Sequence, residues 1–232
     1  MQSYSLKVVG TGSGGNCYLL TVNGQTLVIE AGVNFTKVKK ALNFDLSGVV
    51  GVLVSHEHGD HADYIRDFIK FGKQVHCTVG TFQVLKIEKL KEHQMRCPFE
   101  IGLFKVTPFE IFHDAKEPCG FLIEFEGKRL AFITDTNDLN IRLNNIDYWL
   151  IEANYSPSEL KASNLDVILK KRIQQSHMSI DRCKTILEAH NAEKSKLVLL
   201  IHGSEKHSNK EEFLTKIPYA VIAENQKSYS LE

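Results

Sequence analysis

No apolar run in this chain approaches the roughly 20 residues that a membrane-crossing helix needs, so no membrane segment is expected. The opening Met1-Gln2-Ser3-Tyr4-Ser5-Leu6-Lys7 lacks a charged region followed by a long apolar stretch, and no secretory signal is expected either. Cys-x-x-Cys is also missing. The five cysteines (Cys17, Cys77, Cys97, Cys119, Cys183) are scattered, and only Cys77 stands beside another ligand-type residue, His76. That argues against a disulfide framework and for a reducing, cytoplasmic setting. Net charge is absent too: 28 basic residues balance 28 acidic ones, so no global field draws a polyanion, although a local basic groove stays open. Linkers, low-complexity tracts and long repeats are all lacking, so residues 1–232 are expected to form a single domain.

What the chain does have is concentrated in Ser55-His56-Glu57-His58-Gly59-Asp60-His61, just after the apolar run Gly51-Val52-Leu53-Val54. Imidazole and carboxylate without cysteine suit zinc, manganese or iron better than calcium or magnesium. In an irregular loop His56 and His58 project the same way while Asp60 and His61 turn back, so one loop can serve two ions.

Upstream, Ser5 to Gly10 reads as a strand running into Gly10-Thr11-Gly12-Ser13-Gly14-Gly15. The spacing satisfies G-x-G-x-x-G, but a dinucleotide site needs a helix at the last glycine, and here the strand formers Asn16 to Val22 follow. The glycines are therefore expected to bring the loop close to the active site, with Asn16 as a polar contact. Asn23-Gly24 predicts a tight hairpin turn into a strand from Gln25 to Glu30. Helices are expected over Phe35 to Asn43, Asp63 to Lys70, Leu165 to Gln174 and Ser179 to His190, with Ser179 as an N-cap and Ile180, Cys183, Ile186 and Leu187 on one face. Strands are expected over Gln74 to Val79, Ile101 to Phe112, Cys119 to Phe125, Arg129 to Thr134, Asp147 to Ala153, Lys196 to Ile201 and Ala220 to Glu224. Several apolar strands thus end in ligand-type residues: the His56 cluster, His113, Asp135 and His202. Positions of that kind converge on one rim of a sheet, and seven ligands suffice for two ions that activate water and stabilise a phosphoryl displacement.

These residues resemble the metallo-β-lactamase superfamily, whose signature H-x-H-x-D-H is matched throughout by His56-Glu57-His58-Gly59-Asp60-His61, with His113, Asp135 within Thr134-Asp135-Thr136, and His202 fitting the later motifs. The resemblance implies an α/β fold, a four-layered αβ/βα sandwich with the metals in the cleft. It also implies that His56, His58 and His113 hold one divalent ion and Asp60, His61 and His202 the other, with Asp135 bridging. Zinc is the expected metal, with manganese or iron as alternatives. Further segments look like the small YycJ-type hydrolases, which are DNA exonucleases: the loop 11–17, His113-Asp114-Ala115, Thr134-Asp135-Thr136, Glu152-Ala153-Asn154 and His177-Met178-Ser179, of which the last two are also similar to ribonuclease Z. One departure is Glu30, where the family usually has Asp; its extra methylene alters a contact that orients a ligand. The interval from His113 to Asp135 leaves no room for a tRNA-clamping arm, and no large cap domain is inserted.

The expected activity is metal-dependent hydrolysis of phosphodiester bonds in nucleic acid. Asp60 would orient the attacking water, and His177, tied down by Glu152, would contact the scissile phosphate or protonate the departing oxygen. Alternatives are a cyclic-nucleotide phosphodiesterase, a thioester or lactam hydrolase, and a metal-binding module without turnover. The expected partners are a nucleic acid or nucleotide substrate and, for assembly, a second copy of the chain. His76, His93, His190 and His207 are read as ordinary, and Lys170-Lys171-Arg172, a run able to track a phosphate backbone, as more in keeping with a solvated helix face.

Overall fold

A computed structural model describes residues 4–231. Its strands, in chain order, are β1 (Tyr4–Gly10), β2 (Cys17–Val22), β3 (Gln25–Ile29), β4 (Val49–Leu53), β5 (Val75–Thr78), β6 (Leu90–His93), β7 (Phe99–Ile101), β8 (Phe104–Glu110), β9 (Cys119–Phe125), β10 (Lys128–Ile133), β11 (Tyr148–Glu152), β12 (Leu197–Ile201), β13 (Val221–Ile222) and β14 (Ser228–Ser230). The helices are α1 (Phe35–Ala41), α2 (Gly59–Ala62), α3 (Ile65–Lys70), α4 (Val79–Leu85), α5 (Pro157–Ala162), α6 (Val167–Ser176), α7 (Ile180–Ala189) and α8 (Lys210–Lys216). Elements that periodicity did not reveal include α2, α4, α5, α8, β6, β7 and β14, all short. Among the described residues no helix is long and apolar enough to cross a membrane.

The strands form two seven-stranded sheets, β14-β1-β2-β3-β4-β5-β6 and β13-β12-β11-β10-β9-β8-β7. Alternation decides what each face meets. Along β10 to β12, Leu130, Phe132, Tyr148, Leu150, Leu199 and Ile201 point inward, where they meet Leu6, Val8, Tyr18 and Leu20 of the other sheet. The intervening Ala131, Ile133, Trp149, Ile151, Val198 and Leu200 point outward onto Ile180, Cys183, Ile186 and Leu187 of α7 and Phe213 of α8. The first sheet does the same with Val28, Val52 and Val54 against Phe35, Val38, Ile65 and Phe68 of α1 and α3. Helix, sheet, sheet and helix are therefore the four layers expected. The Asn23-Gly24 turn holds both residues at positive φ, 48° and 83°, the type I′ geometry that matches strand twist.

One helix differs from expectation. The segment 165–174 was expected to bury an apolar stripe, as α7 does. In α6 the only buried residue is Ser176, and Val167, Ile168 and Leu169 are 68%, 81% and 38% exposed. The apolar stripe is real, but it faces the cleft and solvent instead of the core.

Topology sets the position of the site. β3, β4 and β5 are mutually parallel, as are β10, β11 and β12, and β8 runs the same way as β10 because both are antiparallel to the strand between them. Their carboxyl ends share one rim, which places Glu30, His56, His113, Asp135, Glu152 and His202 together.

Candidate metal centre

The floor of the rim is the 55–62 turn. His58 stays extended (ψ 149°) and α2 begins at Gly59, which swings Asp60 and His61 away from the line of His56 and His58. The glycine-rich loop fixes this turn from below: Asn16 N–H donates to Asp60 O (2.8 Å), Ala31 N–H to His61 O (2.8 Å), and Asn16 Nδ2 also reaches Asp60 O (3.3 Å). A strand, β2, follows the loop, as expected. Contact is so close that a Cβ on Gly32 would lie 1.7 Å from Asp60 O. Glu30, Asp135 and His202 sit at the strand ends with φ of 70°, 46° and 54°. Left-handed backbone is costly for such residues and persists only where the surroundings enforce it. Here it turns three buried side chains towards one place.

Three sets of ligand atoms result, each lying within 4.8 Å of one another: His56, His58 and His113; Asp60, His61, Asp135 and His202; and Asp135, Glu152, His177 and His202. In the first, His58 Nδ1 is 3.1 Å from His113 Nε2. In the second, Asp60 Oδ2 is 3.3 Å from His61 Nε2 and 3.5 Å from His202 Nε2. Asp135 Oδ2 lies between the two, 3.4 Å from His61, 3.5 Å from His113 and 3.9 Å from His56, while Oδ1 is 2.5 Å from His202 Nδ1.

Hydrogen bonds around the cluster orient each ring. Ser55 Oγ is 2.9 Å from His56 Nδ1, and the buried His56 Nε2 has no hydrogen-bond partner among the described residues. His113 Nδ1 sits 3.0 Å from Ser176 O, which takes its proton and leaves Nε2, beside His58 Nδ1, as the unprotonated nitrogen. Glu30 Oε2 is 3.4 Å from both His61 Nδ1 and the Ser55 amide. The His202 turn is held by Thr11 Oγ1, accepting its N–H at 2.9 Å, and by Asn154 Nδ2 donating to its carbonyl at 2.9 Å. A bare, buried imidazole nitrogen among oriented imidazoles and carboxylates fits a divalent cation, because such a nitrogen otherwise loses its solvation without compensation.

Electrostatics agree with this. Burial would raise the carboxyls of Asp60 and Asp135, but the imidazoles beside them hold both far below the usual range. His61 and His202 are raised well above the ordinary imidazole value despite burial, through Asp135 and the other carboxylates. Burial lowers His56 strongly, helped by His61, and lowers His113. Without a cation, protons must balance the carboxylates, and a metal would displace them.

Beside the cluster, Glu152 is fully buried, with Oε1 2.7 Å from His177 Nδ1 and Oε2 accepting Thr136 N–H at 2.8 Å and Met178 N–H at 3.3 Å. Burial alone would lower His177; Glu152 outweighs it and raises it. The His177 ring stands 5.5 Å from the rings of His113 and His202 and remains partly open to the cleft.

All nine residues singled out from the sequence are thus in one place. Others were missed. Glu57, which had no assigned role, accepts Lys116 N–H at 2.8 Å and ties down the loop after His113, while Gly59 spares the turn a Cβ 2.8 Å from Asp63 Oδ1. His207, read as ordinary, lines the cleft, as does Arg172 from the run read as a solvated face. His76 and His93 pair at 2.9 Å away from the cluster, stacked on Phe99, and His190 ends α7 with Nδ1 on Ile186 O.

The match of residues 25–203 to the Beta-lactamase superfamily domain covers most of the chain. Exodeoxyribonuclease WalJ of Streptococcus pneumoniae is 25% identical over 227 residues, covering 90% of this chain and 84% of its own. Exodeoxyribonuclease YycJ of Bacillus anthracis is 24% identical over 222 residues, covering 88% and 84%. The crystal structure of the metallo-beta-lactamase fold protein YhfI from Bacillus subtilis superposes with a TM-score of 0.77 at 17% identity, over 98% of this chain and 99% of that one, a likeness of fold. With that fold and this donor cluster, the chain belongs to the β-lactamase superfamily and is a metal-dependent hydrolase.

Proposed function

We propose that this hydrolase is a dinuclear phosphodiesterase that cleaves nucleic acid, with zinc as its metal. The observation that carries the reading is His177, held by the buried Glu152 at 2.7 Å and open to the cleft next to the donor cluster. Hydrolysis of a nucleic-acid diester expels an alkoxide, a poor leaving group whose departure a positioned proton donor assists. The two exodeoxyribonuclease relatives support the same substrate class.

His56, His58 and His113 would hold one ion, Asp60, His61 and His202 the second, with Asp135 between them. Ions bound there supply Lewis acidity, lowering the pKa of water and neutralising charge on the phosphoryl oxygens. Asp60, at the mouth of the cleft, orients the attacking water by accepting its hydrogen bond. His177 gives its proton to the departing oxygen. Glu152 is a positioning residue: it fixes the His177 ring and favours its protonated form.

His61→Ala and Asp135→Ala are expected to abolish hydrolysis of bis-p-nitrophenyl phosphate by the zinc- or manganese-loaded protein, with an unchanged circular-dichroism spectrum and reduced metal content by elemental analysis. Unchanged turnover in both variants overturns the assignment. A panel of single-stranded DNA, duplex DNA, RNA and cyclic nucleotides identifies the substrate, and activity confined to cyclic nucleotides would replace nucleic acid with the smaller diester.

A further inference from the structure

The cleft over the donor cluster has a volume of about 550 Å³ and two unlike walls. One is polar, with His58, Asp60, His113, Asp135 and His202; the other is α6 and the turn before it, with Leu165, Leu169, Arg172 and Ile173. Hydrolysis by the cluster requires none of the four. Arg172 brings both Nε (3.1 Å) and Nη2 (3.0 Å) to the same oxygen of Asp114, Oδ2, so its fork is not matched to the carboxylate edge, and the side chain is 65% exposed. Among the described residues it has no other partner. The apolar side chains beside it face the cleft, not the core, since only Ser176 of α6 is buried.

An apolar surface next to an available guanidinium, one side chain away from a cluster that acts on phosphate, matches the alternation of a nucleotide chain. Arginine suits the anionic part because its planar fork binds phosphate oxygens in pairs. The aliphatic side chains suit the flat apolar face of a base. Resting on the phosphodiesterase reading, we infer that α6 is a subsite for the nucleotide adjoining the scissile bond: Leu165, Leu169 and Ile173 take its base, and Arg172 takes its next phosphate, turning from Asp114 to do so. The preferred substrate is then a single strand of at least two nucleotides, since a duplex does not present an unstacked base to the wall.

The test compares wild type with Arg172→Ala and Leu169→Ala on two substrates, bis-p-nitrophenyl phosphate and a fluorescein-labelled single-stranded oligodeoxynucleotide, together with binding of a cleavage-resistant phosphorothioate oligonucleotide to the metal-loaded protein at several salt concentrations. Both side chains are exposed, so folding is not at stake. The expected result is a rise in KM for the oligonucleotide of about tenfold or more for Arg172→Ala, well beyond any change on the small diester. The binding slope of log K against log salt should fall by about 0.7, the loss of one phosphate contact. Arg172→Lys should restore the slope. Leu169→Ala should lose part of the preference for an oligonucleotide with its bases over an abasic one. If wild type cleaves the small diester but both variants lose the two substrates equally, or the salt slope stays put, the subsite is overturned alone. Wild type inert to both substrates overturns the phosphodiesterase reading and the subsite with it.

Discussion

The floor and the wall of this cleft are built by opposite rules. On the floor, His56, His61, Asp135 and His202 are at most 2% exposed, their backbone is pinned by Asn16, Ala31 and Thr11, and glycines admit no Cβ between the loops. The wall is a ten-residue helix whose apolar residues are solvent-facing, joined to the floor through Arg172 with Asp114 and Ser176 with His113. The difference has a chemical logic. Positions of ligands and proton donors must hold to within a fraction of an ångström, which close packing enforces. A surface that receives a substrate must be open beforehand, and it tolerates change because little depends on its shape when empty.

The sharpest way to break the floor is Gly32→Ala. Its Cβ would sit 1.7 Å from Asp60 O, a backbone atom that also accepts Asn16 N–H, so the 58–61 turn has to shift. Overpacking of this kind costs about 3 kcal/mol or more. The expected outcome is a lowered denaturation midpoint together with loss of bound zinc by elemental analysis. Full metal content at wild-type stability would show that the floor yields as readily as the wall.

How much of this was legible beforehand follows the same division. The floor was readable because its chemistry is local: six consecutive residues carry four ligands, and each later ligand directly follows an apolar strand. Even the non-dinucleotide reading of Gly10 to Gly15 followed from strand formers at Asn16 to Val22. The wall was not readable. Leu165, Leu169 and Ile173 have a helical stripe much like that of α7, and periodicity reports a face without reporting what lies opposite it. The run Lys170-Lys171-Arg172 admitted a phosphate contact, but nothing in it singled out Arg172, for a related reason. Lys170 in fact reaches the carbonyls of Lys161 and Ser163, so neighbours in one basic run have unlike surroundings. Glu57 and Thr11 gave no signal because their partners, Lys116 and His202, are remote in sequence.

Where floor and wall meet, at His177, the comparison predicts an intermediate effect. Glu152→Gln keeps the shape of the side chain but removes the charge that favours protonated His177. Substitution of such a supporting carboxylate is expected to lower kcat on the oligonucleotide about 10- to 100-fold. Loss on bis-p-nitrophenyl phosphate should be much smaller, because p-nitrophenolate departs without a proton. The effect is in kcat, whereas that of Arg172→Ala is in KM, so the two contributions separate in one set of measurements. Equal loss on both leaving groups would reduce Glu152 to a structural tie.

The smallest effect belongs to the outer end of the wall. Ile168 is 81% exposed at the start of α6, next to Val167 at 68%, and neither lines the cleft. If α6 is open by construction, Ile168→Ser removes no packing, and substitutions at such sites change stability by less than about 0.5 kcal/mol. The expected urea midpoint is that of wild type, with oligonucleotide KM also unchanged because the residue sits beyond Leu169 and Arg172. A loss above about 1 kcal/mol would mean that α6 packs its apolar stripe after all. The wall would then be a fixed part of the fold like α7, and its fitness to receive a substrate would have to come from Arg172 alone.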